Sequence, residues 1–159
     1  MPIKIRPVSS EDRAALLSLL KNTPEFKPFE VTVAEEVIDC CLHDSKNSGY
    51  FILVAEDNVE VTGYICYGPT PLTEGTWDMY WEAVEQKKRG TGIGSALMKA
   101  AEKEISKAGG RLILIETSST PAYETTRHFH HNHGYKEIAR IPDFYSHGDD
   151  KLILQKRLK

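Results

Sequence analysis

Cysteine is scarce in this 159-residue chain. Cys40, Cys41 and Cys66 form no C-x-x-C pair, and none lies near the histidine-rich stretch 128–133. That pattern argues against a disulfide framework and a cysteine-based zinc site; reduced thiols in a cytoplasmic compartment are the expectation. Long apolar runs are also missing. No stretch reaches the roughly 20 apolar residues of a membrane-spanning helix. The start Met-Pro-Ile-Lys-Ile-Arg has no apolar signal core. Positive charge is not in excess either: 20 Lys and Arg stand against 23 Asp and Glu, a net charge of −3. There is no global basic field for nucleic acid. Neither nucleic acid nor membrane is therefore an expected partner. What is left is an ordinary globular balance, 40% hydrophobic and 27% charged. The length suits one domain over residues 1–159.

Against these absences one segment stands out, Lys87-Lys88-Arg89-Gly90-Thr91-Gly92-Ile93-Gly94-Ser95-Ala96. Three glycines alternate behind three cations, and a helical pattern follows at once. Glycine lets a backbone turn tightly and approach a ligand closely. A helix N-terminus offers unpaired N–H groups and the positive end of a dipole. Together they describe a cradle for a pyrophosphate.

The surrounding pattern is an alternation of strands and helices. Residues 4–7 read as a strand, and Ser9-Ser10-Glu11-Asp12 opens a helix running to about 21. Residues 23–31, with two prolines and two phenylalanines, read as a loop. Thr32-x-x-Glu35 resembles a capping box for a second helix to about 43. Residues 50–56 and 59–67 form a hairpin about a turn near Asp57-Asn58. In the next strand, 76–84, Trp77, Met79, Trp81 and Ala83 fall on one face, and Asp78, Tyr80, Glu82 and Val84 on the other. A helix from about 92 to 108 carries Ile93, Leu97, Ala100, Ala101 and Ile105 on a helical period, and Gly109-Gly110 stops it. Residues 111–116 contain a buried strand parallel to 76–84. A polar loop covers 117–121, a short helix 123–133, and strands 135–141 and 151–157 close the chain around a loop at 142–150. The order is β-α-α-β-β-β-α-β-α-β-β, an α/β architecture on one mixed sheet.

Several phosphate ligands compete for the glycine segment. A P-loop needs a lysine after its glycines, and none follows. The dinucleotide fingerprint needs a third glycine where Ser95 stands, and a lone Gly-x-Gly is weak. The plainest alternative is a tight strand-to-helix turn with a solvated charge run. The remaining reading is coenzyme A. Arg89-Gly90-Thr91-Gly92-Ile93-Gly94 matches the Arg/Gln-x-x-Gly-x-Gly/Ala signature, and Phe129…Gly134-Tyr135 is similar to a second distal motif. With the element order, these make the chain resemble the GNAT superfamily of acetyl-CoA-dependent N-acetyltransferases over nearly its whole length.

That resemblance implies a mixed, mostly antiparallel sheet of six to seven strands, a splayed parallel central pair and about four helices. It implies acetyl-CoA as co-substrate, its pantetheine arm along Ala83 and Val84 and its pyrophosphate on the N–H groups of Arg89, Gly90, Thr91, Gly92, Ile93, Gly94 and Ser95. A backbone N–H near Val84 would hold the developing oxyanion. The acceptor would be a primary amine of a small molecule or peptide, attacking directly in a ternary complex. A carboxylate must take the amine's proton, because an amine of pKa about 10.4 is almost wholly protonated at neutral pH. Asp78 and Glu82 are the candidates, about 13 Å apart on one strand face. Glu82 is favoured by position and Asp78 by resemblance.

Two departures from the family pattern bear on other roles. His130 stands where a tyrosine acid is usual, and an unperturbed imidazole, pKa about 6.5, would be roughly one-quarter protonated at pH 7. Packing is its alternative role, with Tyr145 or Tyr123 as other donors. Tyr123 and Thr126 occupy the usual Asn-x-x-Ala spacing, so Ser118 or Ser119 would replace those contacts to the arm, and Arg127 would reach a CoA phosphate. His128, His130, His131 and His133 have no H-E-x-x-H spacing, and no metal is expected. Phe26, Phe29, Glu30, Phe144 and Tyr145 are expected pocket walls, and a homodimer is compatible with the family. A non-catalytic acyl-CoA sensor, or transfer of another acyl group, is the alternative function.

Overall fold

The computed structural model describes residues 3–158. Seven strands form one sheet in the order β1-β2-β3-β4-β5-β7-β6. They are β1 (Lys4–Pro7), β2 (Phe51–Asp57), β3 (Glu60–Pro69), β4 (Thr76–Val84), β5 (Leu112–Ser118), β6 (Lys136–Ser146) and β7 (Asp149–Arg157). Every neighbouring pair is antiparallel except β4–β5, which is parallel. Four α-helices complete the fold: α1 (Arg13–Lys21), α2 (Pro28–His43), α3 (Ile93–Lys107) and α4 (Glu124–Asn132). The expected order of elements along the chain and the mixed sheet are both present.

Two apolar layers sandwich the sheet. On one face α3 buries Ile93, Leu97, Met98, Ala101 and Ile105 against Leu53, Ile65, Tyr67, Trp77 and Met79. On the other, α1 and α2 bury Leu16, Leu20, Val31 and Ile38 against Val54, Tyr64, Cys66 and Ala83. Adjacent residues such as Leu53 and Val54 enter opposite layers, as strand alternation requires. Gly110 ends the α3 connection tightly: a Cβ there would lie 2.3 Å from Ile105 Cγ2 and 2.8 Å from its carbonyl oxygen.

Three expectations need correction. Helix α2 begins at Pro28, not Thr32; Pro28 occupies the first helical turn, where its missing N–H costs nothing. Thr32 lies inside the helix and its Oγ1 donates to Pro28 O at 3.2 Å. Residues 142–150 are not a loop, because β6 and β7 continue to a turn between Ser146 and Asp149. Asp150 carries that hairpin: it accepts Asp143 N–H at 2.9 Å and Arg140 Nη1 at 3.0 Å.

The third correction concerns β4. Cys66 opposes Trp81 whereas Tyr67 opposes Met79, so Tyr80 is an extra residue on β4, a β-bulge. The bulge inverts the alternation beyond it. Trp77 and Met79 enter the α3 layer, whereas Trp81 and Ala83 pack with the α1/α2 layer. Glu82, opposite Ile65, therefore faces the α3 side, and Asp78, between Trp77 and Met79, faces the other. The two acids do not share a face.

Candidate functional site

The parallel β4–β5 ladder is short. It pairs Thr76–Met79 with Leu112–Ile115 and stops there. Beyond it, Tyr80–Val84 and Glu116–Ser118 diverge, and β4 keeps its pairing only on the β3 side through Val84. Between the diverging strands lies a cleft of about 1200 Å³. Along β4 it runs from the glycine turn after Val84 to Asp78, where the strands part, and Phe29, Glu30, Phe144 and Tyr145 also line it.

The glycine end is built from backbone. Gly90 and Gly92 have φ of 81° and 92°, a region closed to most side chains. Gly92 is the N-cap of α3, and the first helical hydrogen bond is Ala96 N–H to Gly92 O at 3.0 Å. Among the described residues, no group accepts the backbone N–H of Gly90 through Ser95. Such a row of free donors at a helix start fits a pyrophosphate. Gly94 lets α3 pack on α4: a Cβ there would lie 3.3 Å from the Phe129 ring. Two of the three preceding cations have engaged side chains. Arg89 makes a fork to Glu25 at 2.9 and 3.1 Å, and Lys88 reaches Asp57 at 3.4 Å.

The four sequence-derived catalytic candidates all line the cleft. Their environments differ. Asp78 Oδ2 accepts the Thr70 hydroxyl at 2.7 Å, and Asp78 stands beside the last rungs of the parallel ladder. Burial, and then the nearby Asp78 carboxylate, push the Tyr80 phenol up to about 12. Glu82 has its Oε2 sealed from solvent with no hydrogen-bond partner. Burial, then the negative charge of Glu102, raises its pKa well above the carboxylate range. Glu102 itself accepts the Tyr135 hydroxyl at 2.7 Å and Lys156 Nζ at 3.0 Å. Glu82 is thus a carboxyl whose ionisation burial disfavours, with its Oε2 closed off from solvent.

His130 is 6% exposed, and its Nδ1 has no partner. Burial, assisted by neighbouring His133, lowers its pKa to about 4. The expected fraction of imidazolium at pH 7 is therefore not available. The ring instead packs edge-on against Phe129 and Tyr135, with centroids 5.6 and 6.1 Å apart. Tyr145 is half-exposed on β6. Burial, then Glu116, Asp149 and Glu30, push its phenol up to about 12.

Other expected contacts lie elsewhere. Arg127 donates to the carbonyls of Ser118 and Thr120 at 2.8 and 2.7 Å, closing the end of β5 rather than reaching towards the glycine segment. Tyr123 sends its hydroxyl to Glu25 O at 3.2 Å and to Glu30 Oε2 at 3.4 Å, so it joins α4 to the α1–α2 connection. Ser118 lines the cleft, and its Oγ donates to Asp149 Oδ1. Ala83, Val84 and Ile93 line the cleft as expected, as do Phe26, Phe29, Glu30 and Phe144. Asp149 was not foreseen: it sits in what reads as a polar loop, and only the β6–β7 hairpin brings it beside Ser118. Among the described residues no cluster of three or more His, Cys, Asp or Glu could hold a metal, and no helix is long and apolar enough to cross a membrane.

The chain matches a family model described as an acetyltransferase (GNAT) domain over residues 48–137. A curated relative, an uncharacterized N-acetyltransferase of Methanocaldococcus jannaschii, is 29% identical over 107 residues, 65% of this chain. The chain spans 64% of that relative's length. Among solved structures, a GNAT-family protein of Desulfovibrio desulfuricans is 34% identical, with 99% of this chain and 100% of that one covered and a TM-score of 0.93. The PaiA N-acetyltransferase of Thermoplasma acidophilum, in complex with coenzyme A, is 18% identical with a TM-score of 0.78 and 99% of each chain covered. At that identity the likeness speaks for the fold.

Proposed function

The chain belongs to the GNAT acetyltransferase family, and from that premise we propose that it transfers an acetyl group from acetyl-CoA to a primary amine by direct attack in a ternary complex. The observation that carries this reading is the divergence of β4 from β5 into a cleft ending at the free N–H groups of Gly90–Ser95. Those donors suit the CoA pyrophosphate. The unpaired side of Tyr80–Val84 offers about 13 Å of strand edge to an extended arm. Bound acetyl-CoA supplies an activated acyl thioester whose thiolate, of pKa about 8.5, leaves readily.

Asp78 is our choice of proton acceptor. It stands where the strands part, at the far end of that edge from the glycines, and faces the α1/α2 side. The incoming ammonium gives a proton to Asp78, and the neutral nitrogen then attacks the acyl carbon as the C–S bond breaks. The nitrogen's surplus proton balances the departing sulfur as CoA thiol. Glu82 lines the same cleft, but with its Oε2 sealed and its ionisation disfavoured by burial we give it no proton to carry. His130 fills the family's tyrosine position as an uncharged ring. No general acid is required for so good a leaving group.

Calorimetry with CoA, together with thiol release from acetyl-CoA over a panel of amines, tests the proposal. Micromolar CoA binding with amine-dependent thiol release is the expected result. Tight binding without release for any amine would instead favour an acyl-CoA sensor, and no CoA binding would remove both readings.

A further inference from the structure

Directly across the sheet from Asp78 stands Gly68 on β3, which has no side chain to offer it. A Cβ at Gly68 would clash with the carbonyl oxygen of Gly49 and lie 3.3 Å from Tyr80 Cε2, so a backbone group and a ring fill that place. The Tyr80 ring is braced in turn by Tyr50, edge-on with centroids 5.3 Å apart. The diagonal neighbour of Asp78 is Thr70, two residues beyond Gly68 and just past the end of β3. Diagonal neighbours on paired strands lie about 7–8 Å apart, a gap that a carboxylate and a hydroxyl can close between them. Here they do so: Thr70 Oγ1 donates to Asp78 Oδ2 at 2.7 Å.

The loop that carries Thr70 is pinned from two sides. Thr70 N–H donates to Thr76 O at 2.8 Å, and the Thr73 hydroxyl donates to Thr70 O at 2.8 Å. Arg111, just ahead of β5, donates its backbone N–H to Gly75 O at 2.8 Å and its Nε to Glu74 O at 2.7 Å. Within this loop Leu72 is held at φ 65° while fully exposed. A leucine avoids that region, and no packing offsets the cost here. The loop keeps its shape for something other than its tip, and what that shape fixes is the Thr70 hydroxyl. Asp78 lines the cleft, whereas Thr70 does not, so the hydroxyl works from behind the carboxylate. Oδ2 is thereby occupied. Oδ1 takes no donor among the described residues and is not sealed from solvent. Asp78 presents one free oxygen.

Resting on the acetyltransferase reading with Asp78 as its proton acceptor, we infer that Thr70 is a positioning residue, whose hydroxyl holds Oδ2 so that Oδ1 faces the cleft and takes the proton of the incoming ammonium. An N–H bond of the ammonium breaks, an O–H bond forms at Oδ1, and Thr70 keeps its own proton throughout. A hydrogen bond to an ionised acceptor is among the stronger ones. It fixes the carboxylate plane before the amine arrives. Without it the plane turns about the Cβ–Cγ bond, and fewer encounters meet an aligned oxygen. Thr70 touches neither the amine nor acetyl-CoA, so its removal should act on kcat and leave binding alone.

The test is thiol release from acetyl-CoA with the fastest amine of the panel, in Thr70→Val, Thr70→Ser, Asp78→Asn and the double variant Thr70→Val/Asp78→Asn. Thr70→Val keeps the shape and loses the hydroxyl. Its kcat should fall at least tenfold, with the amine KM and the calorimetric CoA affinity within about twofold of the parent. Thr70→Ser restores the hydroxyl and should recover kcat to within about threefold. In the Asp78→Asn background the same Thr70→Val change should cost less than about twofold, because no proton acceptor is left to position. A purely structural role would lower kcat equally in both backgrounds, and that result overturns the inference. So does a Thr70→Val enzyme within threefold of the parent, or a Thr70→Ser enzyme as slow as Thr70→Val. If Thr70→Val no longer binds CoA, Thr70→Ala takes its place under the same criteria. Full activity in Asp78→Asn removes the positioning role and leaves the acetyltransferase reading standing. No amine-dependent release from the parent removes both.

Discussion

The two ends of the cleft are made in opposite ways. The glycine end comes from six consecutive residues, 90–95, and presents main-chain N–H groups. The acceptor end gathers side chains from α2, β4 and the β6–β7 hairpin, with Glu30 and Asp149 more than a hundred residues apart. A backbone site can bind one chemistry, a phosphate, whatever side chains surround it. A side-chain site can be rewritten one residue at a time. Under the proposed function, the contrast would let one fold keep its acyl donor while its acceptor varies.

The largest effect should come from the residue that joins the two ends. Asp78→Asn removes the proposed proton acceptor and keeps its shape. We expect kcat to fall roughly 10²–10⁴-fold, with CoA affinity by calorimetry unchanged. Weaker CoA binding in this variant would mean the ends are not separable. Glu82→Gln is the companion: if Asp78 takes the proton, kcat at pH 7 should change less than tenfold, and a larger loss would move that role to Glu82.

His130, beneath the cleft, should report as stability rather than rate. Its folded pKa is about 4, against about 6.5 unfolded. Above pH 6.5 the ring is neutral in both states. As pH falls towards 4, only the unfolded chain takes up the proton, so stability is lost through that window. The full loss is about 3 kcal/mol. Urea melts at pH 7 and pH 4 should show His130→Phe losing that much less than the parent. Equal losses would mean the ring is not held neutral.

The same contrast governs what was legible in the chain itself. Residues 87–96 carry the glycine turn in local order, and the glycines, the helix start and the free donors could all be read from spacing. The strand and helix order was legible from periodicity and from Gly109-Gly110. Pro28 was harder, because a proline inside an apparent loop is also the ideal first helical residue. Pro142 and Gly148 disguised the β6–β7 hairpin as a loop. The Tyr80 bulge could not be read at all: it is a mismatch of register with β3, which no alternation within β4 records. It moved Glu82 to the α3 side and parted it from Asp78. Asp149 was missed for the same reason, as its partner Ser118 lies thirty-one residues away.

Two smaller effects sharpen the phosphate end. Gly92 sits at φ 92°, where a Cβ costs about 1–2 kcal/mol. Gly92→Ala should therefore lose about that much stability, or up to about tenfold in CoA affinity where the turn relaxes to relieve the strain. Binding of an amine acceptor to the CoA-free protein should be unaffected. A loss at both ends would show that the cradle also shapes the acceptor site.

The smallest effect has the more instructive sign. Glu25 holds Arg89 in a fork, with their side chains 19% and 40% exposed. Both residues line the cleft, and the carbonyl of Glu25 also takes the Tyr123 hydroxyl. A phosphate near Gly90 must compete with that carboxylate for the guanidinium. An exposed pair is worth about 0.2–1 kcal/mol, so Glu25→Gln should tighten CoA by at most about fivefold. The gain should shrink in high salt, which screens the pair in the parent. Weaker binding in Glu25→Gln would reverse the reading. Glu25 would then be aiming Arg89 at the phosphate, and the connection before α2 would belong to the donor end of the cleft as much as to the acceptor end.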